Sequence, residues 1–291
     1  MELPASEVTF LTNSTSITSR LTGDRLPLVM GILNVTPDSF SDGGQLYNSS
    51  GLVRDEILHR ALTMIDNGVD ILDVGGESTR PGAKPVNEQQ ELDRVIPVLE
   101  WLAEETDIPV SVDTSSPMVM REAIGKGAAL INDVRALRRE GALEVVAQSG
   151  LPVCLMHMLD EPGMMQSQPC YENVVDEICE FLKDRVEHCL AAGISRSQII
   201  IDPGFGFGKT QAHNLALFNG LEKLVQLGYP LLVGVSRKSM IGNIIEKPVD
   251  QRLAGSLALA ILAAQRGATI LRVHDVADTV DALKIWRAVE K

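Results

Sequence analysis

The sequence predicts an α/β protein, a (β/α)8 TIM barrel with an N-terminal β-hairpin extension, and three observations carry that expectation. Eight short apolar, β-branched runs alternate with eight amphipathic stretches from end to end. Glycines stand where a helix would stop before the next strand, at Gly68, Gly127, Gly150, Gly193, Gly228 and Gly267. No linker or shift in composition divides residues 27–291, so the repeats read as one domain. Strict alternation demands a parallel sheet, and eight repeats favour closure over a doubly wound sheet, the alternative that strand order alone would separate.

Taken in order, residues 1–26 are rich in Thr and Ser with Val8, Phe10, Leu11 and Ile17 among them, and are expected to form a hairpin capping the barrel floor. Strands are expected to begin near Leu28, Val69, Ile108, Ala129, Pro152, Ile199, Leu231 and Thr269. Helices are expected over Val53–Asn67, Glu88–Glu105, Pro117–Lys126, Gly141–Gln148, Tyr171–Ala192, Asn214–Leu227, Asp250–Arg266 and Asp275–Glu290.

Composition narrows the function. A formal charge of -13 repels phosphate backbones and anionic lipid, so nucleic acid and membrane are poor partners, and any anionic ligand needs a local basic pocket. With 45% hydrophobic residues the chain can bury a full core without staples. Cys154, Cys170, Cys179 and Cys189 lack C-x-x-C spacing, which points to reduced thiols in a cytoplasm and away from zinc. No basic start followed by an apolar block is seen at residues 1–25, and Leu253–Ala264 is too short to cross a bilayer. The Asn-x-Ser/Thr patterns at Asn13 and Asn48 have meaning only in a secreted chain and are discounted.

The chemistry gathers at the ends of the expected strands. Leu28–Leu33 opens directly into Asn34-Val-Thr-Pro-Asp-Ser-Phe-Ser-Asp-Gly-Gly44, an amide and hydroxyls followed by a mobile-looking Gly/Asp loop. The second strand leads through Asp73 and Gly76 into Glu77-Ser-Thr-Arg-Pro-Gly82. Later strands end at Asp113, at Asn132-Asp133, at Met156-His157, at Asp202-Pro-Gly-Phe-Gly-Phe-Gly-Lys209, at Ser236-Arg-Lys238 and at Arg272-Val-His-Asp275. In a barrel such ends converge on one mouth, where barrel chemistry sits. A single carboxylate there is more often a helix cap, which is the reading for Asp275 and extends to Asp133; eight coincidences are not capping.

Two groups can be distinguished. Asp113, Asn132, Asp202 and Lys238 form a deep polar set suited to a flat heterocycle, since a carboxylate accepts two parallel hydrogen bonds from an amidine-like edge. Buried carboxylates need a partner, which Lys238 or a ligand should supply; a plain internal ion pair between Lys238 and Asp202 is the alternative reading. Arg80, Arg272 and His274, with Thr79 and Asn34, form an anion-seeking rim for a phosphate or diphosphate. His157 reads as core packing, and His59, His188 and His213 as solvated. Gly208-Lys209-Thr210 ends like a phosphate loop, but Pro203 occupies the position where that pattern needs Gly. The glycines instead let backbone approach a flat ligand, with Phe207 as a stacking face.

Together these segments, spread from Met30 to Val276, resemble the dihydropteroate synthases, the pterin-binding enzymes of folate biosynthesis. That resemblance implies a transferase, usually a homodimer, that joins p-aminobenzoate to 6-hydroxymethyl-7,8-dihydropterin diphosphate and yields 7,8-dihydropteroate and diphosphate. It implies that Asp113, Asn132, Asp202 and Lys238 hold the pterin, with Arg272 stacked on it and Met156 in the wall. It further implies that Asn34 ligates a Mg2+ ion on the diphosphate, that Arg80, Arg272 and His274 contact that anion, and that Asn34, Asp113, Asp202, Lys238 and Arg272 form the catalytic set. Thr79, Arg80, Pro81, Phe207, Ser236 and Lys238 would frame the p-aminobenzoate site, where sulfonamides compete. Two other readings stand beside it. A pterin-dependent methyltransferase would have no need of the Ser-Thr-Arg-Pro-Gly or Ser-Arg-Lys segments, and a non-catalytic pterin-binding protein should have lost Asn34, Arg80 or Lys238.

Overall fold

A computed structural model describes residues 17–21, 26–36, 47–48, 51–78, 86–159 and 169–290. Eight parallel strands run β1 Leu28–Asn34, β2 Ile71–Gly75, β3 Val110–Asp113, β4 Leu130–Asp133, β5 Val153–Met156, β6 Ile199–Asp202, β7 Leu232–Val233 and β8 Ile270–Val273. They follow one another around the sheet as β6-β5-β4-β3-β2-β1-β8-β7. The circle closes between β6 and β7 through one bridge, Ile201 to Leu231, with Ile201 N donating to Pro230 O at 2.9 Å. The expected (β/α)8 barrel is therefore the fold, and each expected strand is present.

Alternation along the strands explains how one sequence makes both a core and a cavity. Val29, Leu33, Leu72, Val74, Val110, Val112, Ile131, Val153, Leu155, Ile199, Ile201, Val233, Leu271 and Val273 all join the large cluster packed under the surrounding helices. The residues between them point into the cylinder. Low in the barrel these are Leu28, Met30, Ile71, Leu130, Cys154, Ile200, Leu232 and Ile270, which form a second, separate apolar cluster. One pleat higher the same inward parity delivers Asp73, Asp113, Asn132, Met156, Asp202 and Arg272. The site is the upper interior of the barrel, and its floor is the lower interior.

Ile17, 1% exposed, belongs to that floor cluster. The hairpin expected for residues 1–26 is not found where residues are described: Ile17–Arg20 is helical. This turn satisfies its own backbone, Leu21 N donating to Thr18 O, and Ile17 is buried in the floor cluster, so the turn covers the barrel without pairing to it. Arg20 pairs with Asp70, whose other oxygen accepts Val29 N at 2.8 Å, tying this turn to the start of β1. Residues 1–16 lie outside the described residues.

The helices sit close to expectation; the one expected from Asp250 starts at Leu253, after a separate tight turn at Val249–Gln251, and there are three further differences. The stretch expected at Asn214–Leu227 is two helices, Gln211–Asn219 and Leu221–Val225, divided at Gly220, where a Cβ would stand 2.7 Å from a Val175 methyl. The helix expected from Tyr171 starts at Val174, because the Asn173 side chain accepts from Val175 N and Asp176 N and caps it there. A short helix not anticipated, Ser239–Ile245, follows β7.

Candidate active site

Arg272 organises the upper interior. From β8 its Nε donates to Asp73 Oδ2 at 2.6 Å and its Nη2 to Asp113 Oδ2 at 2.8 Å, so one guanidinium joins carboxylates from two strands across the barrel. Asn132 Nδ2 also reaches Asp73 Oδ2, at 3.3 Å. Burial pushes the Asp113 carboxyl up to about 7; Arg272 draws it down, and the charge of Asp73 adds to the rise. For Arg272 burial opposes the charge, but Asp73 and Asp113 outweigh it and hold the guanidinium above its ordinary range.

Asp202 and Lys238 form the opposite side. Asp202, at the end of β6, is raised by burial, opposed by Lys238 and by Gly204 N, which donates to Oδ1 at 2.7 Å. Burial lowers Lys238 to about 8, opposed by the charge of Asp202. The alternative reading of Lys238, a plain ion pair with Asp202, is not what the structure makes. Lys238 Nζ instead donates to Phe205 O and stands 4.8 Å from the centroid of the Phe207 ring. The Gly-rich segment offers a nearer acceptor, leaving Asp202 held by Gly204 N and by the charge of Lys238.

Three carboxylates, Asp73, Asp113 and Asp202, thus share the cavity with two cations, Arg272 and Lys238. The balance leaves acceptor capacity unspent, which suits a neutral ligand presenting several N–H donors. An apolar wall completes the cavity: Met156 packs with Val134 and Met158, and Phe207 lies against them.

The rim is built from the ends of β1, β7 and β8. Asn34 is registered beside Gly75, and Gly75 beside Asp113. A Cβ at Gly75 would meet Asn34 Oδ1 at 3.4 Å and Asp113 Oδ2 at 3.8 Å, so the missing side chain lets the amide and the carboxylate face the same space. Ser236 Oγ lies 3.1 Å from His274 Nδ1 and accepts His274 N at 3.2 Å. Arg237 holds this corner in the left-handed region, φ 56°, by pairing through its guanidinium with Asp275. Asp275 was expected to cap the last helix; its side chain makes no capping bond and goes to Arg237 instead. Asp133 does act structurally, accepting Arg135 N at 2.8 Å and Leu137 N at 2.7 Å in the turn after β4.

The structure therefore brings together Asn34, Asp113, Asn132, Met156, Asp202, Phe207, Ser236, Lys238, Arg272 and His274 at one mouth. Thr79, Arg80 and Pro81 lie outside the described residues. Sequence reasoning left Asp73 out of the site, although it is fully buried and is the principal partner of Arg272. A signal existed: in Ile71-Leu72-Asp73 the carboxylate shares the inward parity of Ile71, and an acid inside an apolar strand needs a cation.

Residues 30–274 match the family model described as "Pterin binding enzyme". The dihydropteroate synthase of Haemophilus influenzae is 52% identical over 263 residues, 90% of this chain and 94% of that one. Among solved structures, Yersinia pestis dihydropteroate synthase with a sulfonamide drug complex superposes with a TM-score of 0.87 at 51% identity, over 91% of this chain and 94% of that chain. The Xanthomonas albilineans dihydropteroate synthase with 4-aminobenzoic acid gives 0.84 at 51% identity, over 92% and 94%. With its barrel, its upper-interior acids and these relatives along nearly its whole length, the chain belongs to the pterin-binding enzymes, among the dihydropteroate synthases.

Proposed function

We propose that this transferase joins p-aminobenzoate to 6-hydroxymethyl-7,8-dihydropterin diphosphate by a dissociative, SN1-like displacement, with the pterin in the upper barrel interior. The observation that carries the reading is the arrangement of Asp73, Asp113 and Asp202 around Arg272 and Lys238, an acceptor-rich cavity open to the mouth. Asp113, Asn132, Asp202 and Lys238 would take the heterocycle's polar edge, Arg272 one face, and Met156 the wall. Breaking the C–O bond leaves positive charge on the pterin, which buried Asp113 and Asp202 are placed to steady. The expelled anion would be met by His274 at the rim and by Arg80, with Arg272 between the two charges. An aniline nitrogen is nucleophilic when neutral, so no strong base is required. Phe207, Ser236 and Lys238, with Thr79, Arg80 and Pro81, would frame the amine.

The donor chemistry at the rim fits Mg2+. Asn34 offers a hard amide oxygen beside Asp113, and among the described residues no group of three or more His, Cys, Asp or Glu forms a metal cage. Mg2+ commonly takes its ligands from substrate phosphates and water with few from protein. When bound, such an ion would supply charge neutralisation on the diphosphate, with Asn34 as its protein ligand.

We read residues 27–291 as one barrel domain working in the cytoplasm, which the unbridged, buried Cys154, Cys179 and Cys189 support. No helix among the described residues is long and apolar enough to cross a membrane. We infer a homodimer, since Leu262, Ile285 and Val289 expose apolar side chains on the last two helices; sedimentation showing a monomer at micromolar concentration would refute this. The chemical proposal is tested with anilines of graded basicity at saturation. Turnover that is flat across the series, with diphosphate release coupled to amine consumption, is expected. A rate that climbs steeply with basicity, or a pterin covalently trapped on a side chain, refutes it.

A further inference from the structure

Lys209 has no part in the chemistry above, and the sequence only set it aside as the end of a false phosphate loop. It is 3% exposed. Its Nζ donates to Gly204 O at 2.8 Å and Phe207 O at 2.9 Å, and stands 3.0 Å from His157 Nδ1. Burial draws Lys209 well below the usual lysine range and the Asp202 charge opposes it; as an ammonium it carries three N–H donors and no acceptor, which these three acceptors match one for one. His157 Nδ1 must then accept, which places the ring proton on Nε2. Burial, reinforced by the charge of Lys209, holds His157 down to about 2, so the ring is a neutral acceptor throughout the physiological range.

The segment that Lys209 gathers makes one turn bond of its own, Phe207 N to Gly204 O at 3.2 Å, and is otherwise held by side chains: Asp202 at Gly204 N, Asn214 at Gly206 N, Tyr171 at Gly208 O, and Lys209 at the carbonyls of Gly204 and Phe207. Gly204, Gly206 and Gly208 all have positive φ, at 67°, 83° and 64°, and glycine there has many alternatives. Gly204 is pressed on His157, whose carbonyl oxygen would lie 1.9 Å from a Cβ, and Gly208 on Leu159, whose Cβ would lie 2.6 Å from one. Lys209 ties both walls of this contact, reaching the loop through its carbonyls and residue 157 through the imidazole. Between the tied points stands Phe207, the ring that lies against Met156 and under Lys238.

We infer that Lys209 is a positioning residue for the amine half of the reaction: seated on Gly204 O, Phe207 O and His157 Nδ1, it sets the turn that presents Phe207 to p-aminobenzoate. This rests on the assignment of Phe207 to the amine subsite made above.

The test is steady-state kinetics in both substrates, with hydrogen exchange over 204–208, on Lys209→Met, which keeps the length and removes the donors. Displacing a positioned group by about an ångström can cost up to about 10²-fold. The expected result is a KM for p-aminobenzoate raised about tenfold or more, a KM for the pterin diphosphate within about threefold of wild type, and faster exchange at 204–208. A folded variant with its amine KM within about threefold, or with both KM values and kcat moving together, overturns the inference. Should Lys209→Met not fold, His157→Leu removes one acceptor and leaves the lysine; an amine KM raised beyond about threefold supports the inference, and an unchanged one overturns it. Phe207→Ala separates the two claims. If its amine KM is unchanged, the subsite assignment fails, and Lys209 is then decided by exchange alone, with unaltered protection in Lys209→Met overturning it.

Discussion

Replacing Arg272 with Met removes the guanidinium that joins Asp73 and Asp113 while keeping much of its bulk. Breaking a buried, hydrogen-bonded pair by taking away one partner costs about 3–5 kcal/mol, which sets the loss at the 2.6 Å contact with Asp73. The second contact adds a loss that depends on pH. With its carboxyl at about 7, Asp113 is largely protonated at pH 5.5 and ionised at pH 8. Without Arg272 it escapes the uncompensated charge by staying protonated, which at pH 8 costs about 1.4 kcal/mol, one pH unit above its value. The sign follows: a carboxyl raised in the folded protein binds protons more tightly than in the unfolded chain, so stability falls as pH rises toward 7. Arg272 offsets part of that fall, and the variant should lose about 1.4 kcal/mol more at pH 8 than at pH 5.5. Urea unfolding at the two pH values measures both terms. A loss below about 1 kcal/mol, or one equal at both pH values, refutes the reasoning about this triad.

Three further outcomes are expected. Gly204→Ala should cost more than about 4 kcal/mol or abolish folding, because its Cβ would lie 1.9 Å from His157 O at φ 67°; Gly193→Ala, with φ 94° and nothing within 4 Å, is the control, expected to lose only about 1–2 kcal/mol in thermal unfolding. Glu91, only 3% exposed and pushed from 4.5 to about 7 chiefly by burial, makes folding less favourable as pH rises from 4.5 to 7; Glu91→Gln should gain up to about 3 kcal/mol at pH 8 and little at pH 4, and equal changes at both would contradict it. Lys238→Ala leaves Phe205 O and buried Asp202 without their cation, so pterin affinity and turnover should fall together, with kcat/KM down at least about 10²-fold; unchanged kinetics would remove Lys238 from the pocket.

Most of the barrel could be read from the chain because two local signals reinforce each other. Short apolar, β-branched runs such as Ile199–Asp202 and glycine stops such as Gly193 mark each repeat, and the repeat count then selects closure. What escaped reading depends on distant partners. Gly220 divides a helical stretch because Val175 lies against it, a contact that no local pattern announces. Asp275 stands at a helix start and looks like a cap, yet Arg237, 38 residues away, is a better partner than the helix's own amides. Asp73 was passed over because it sits inside an apolar run, and only the fold shows that its inward neighbours are Asn132 and Arg272. At the N-terminal side the described turn Ile17–Arg20 is helical because Ile17 finds its partners in the barrel floor, a contact between distant residues that no local pattern announces.

The single bridge between Ile201 and Leu231 makes the cylinder a band with a clasp. The two staves that meet at this seam carry Asp202 at the end of one and Lys238 just beyond the other. A guest that touches both spans the gap where the backbone ladder is thinnest. Occupancy should therefore cinch the whole hoop, slowing amide exchange in β6 and β7 more than in β2 or β3, so that the substrate serves as a missing rung of the barrel that holds it.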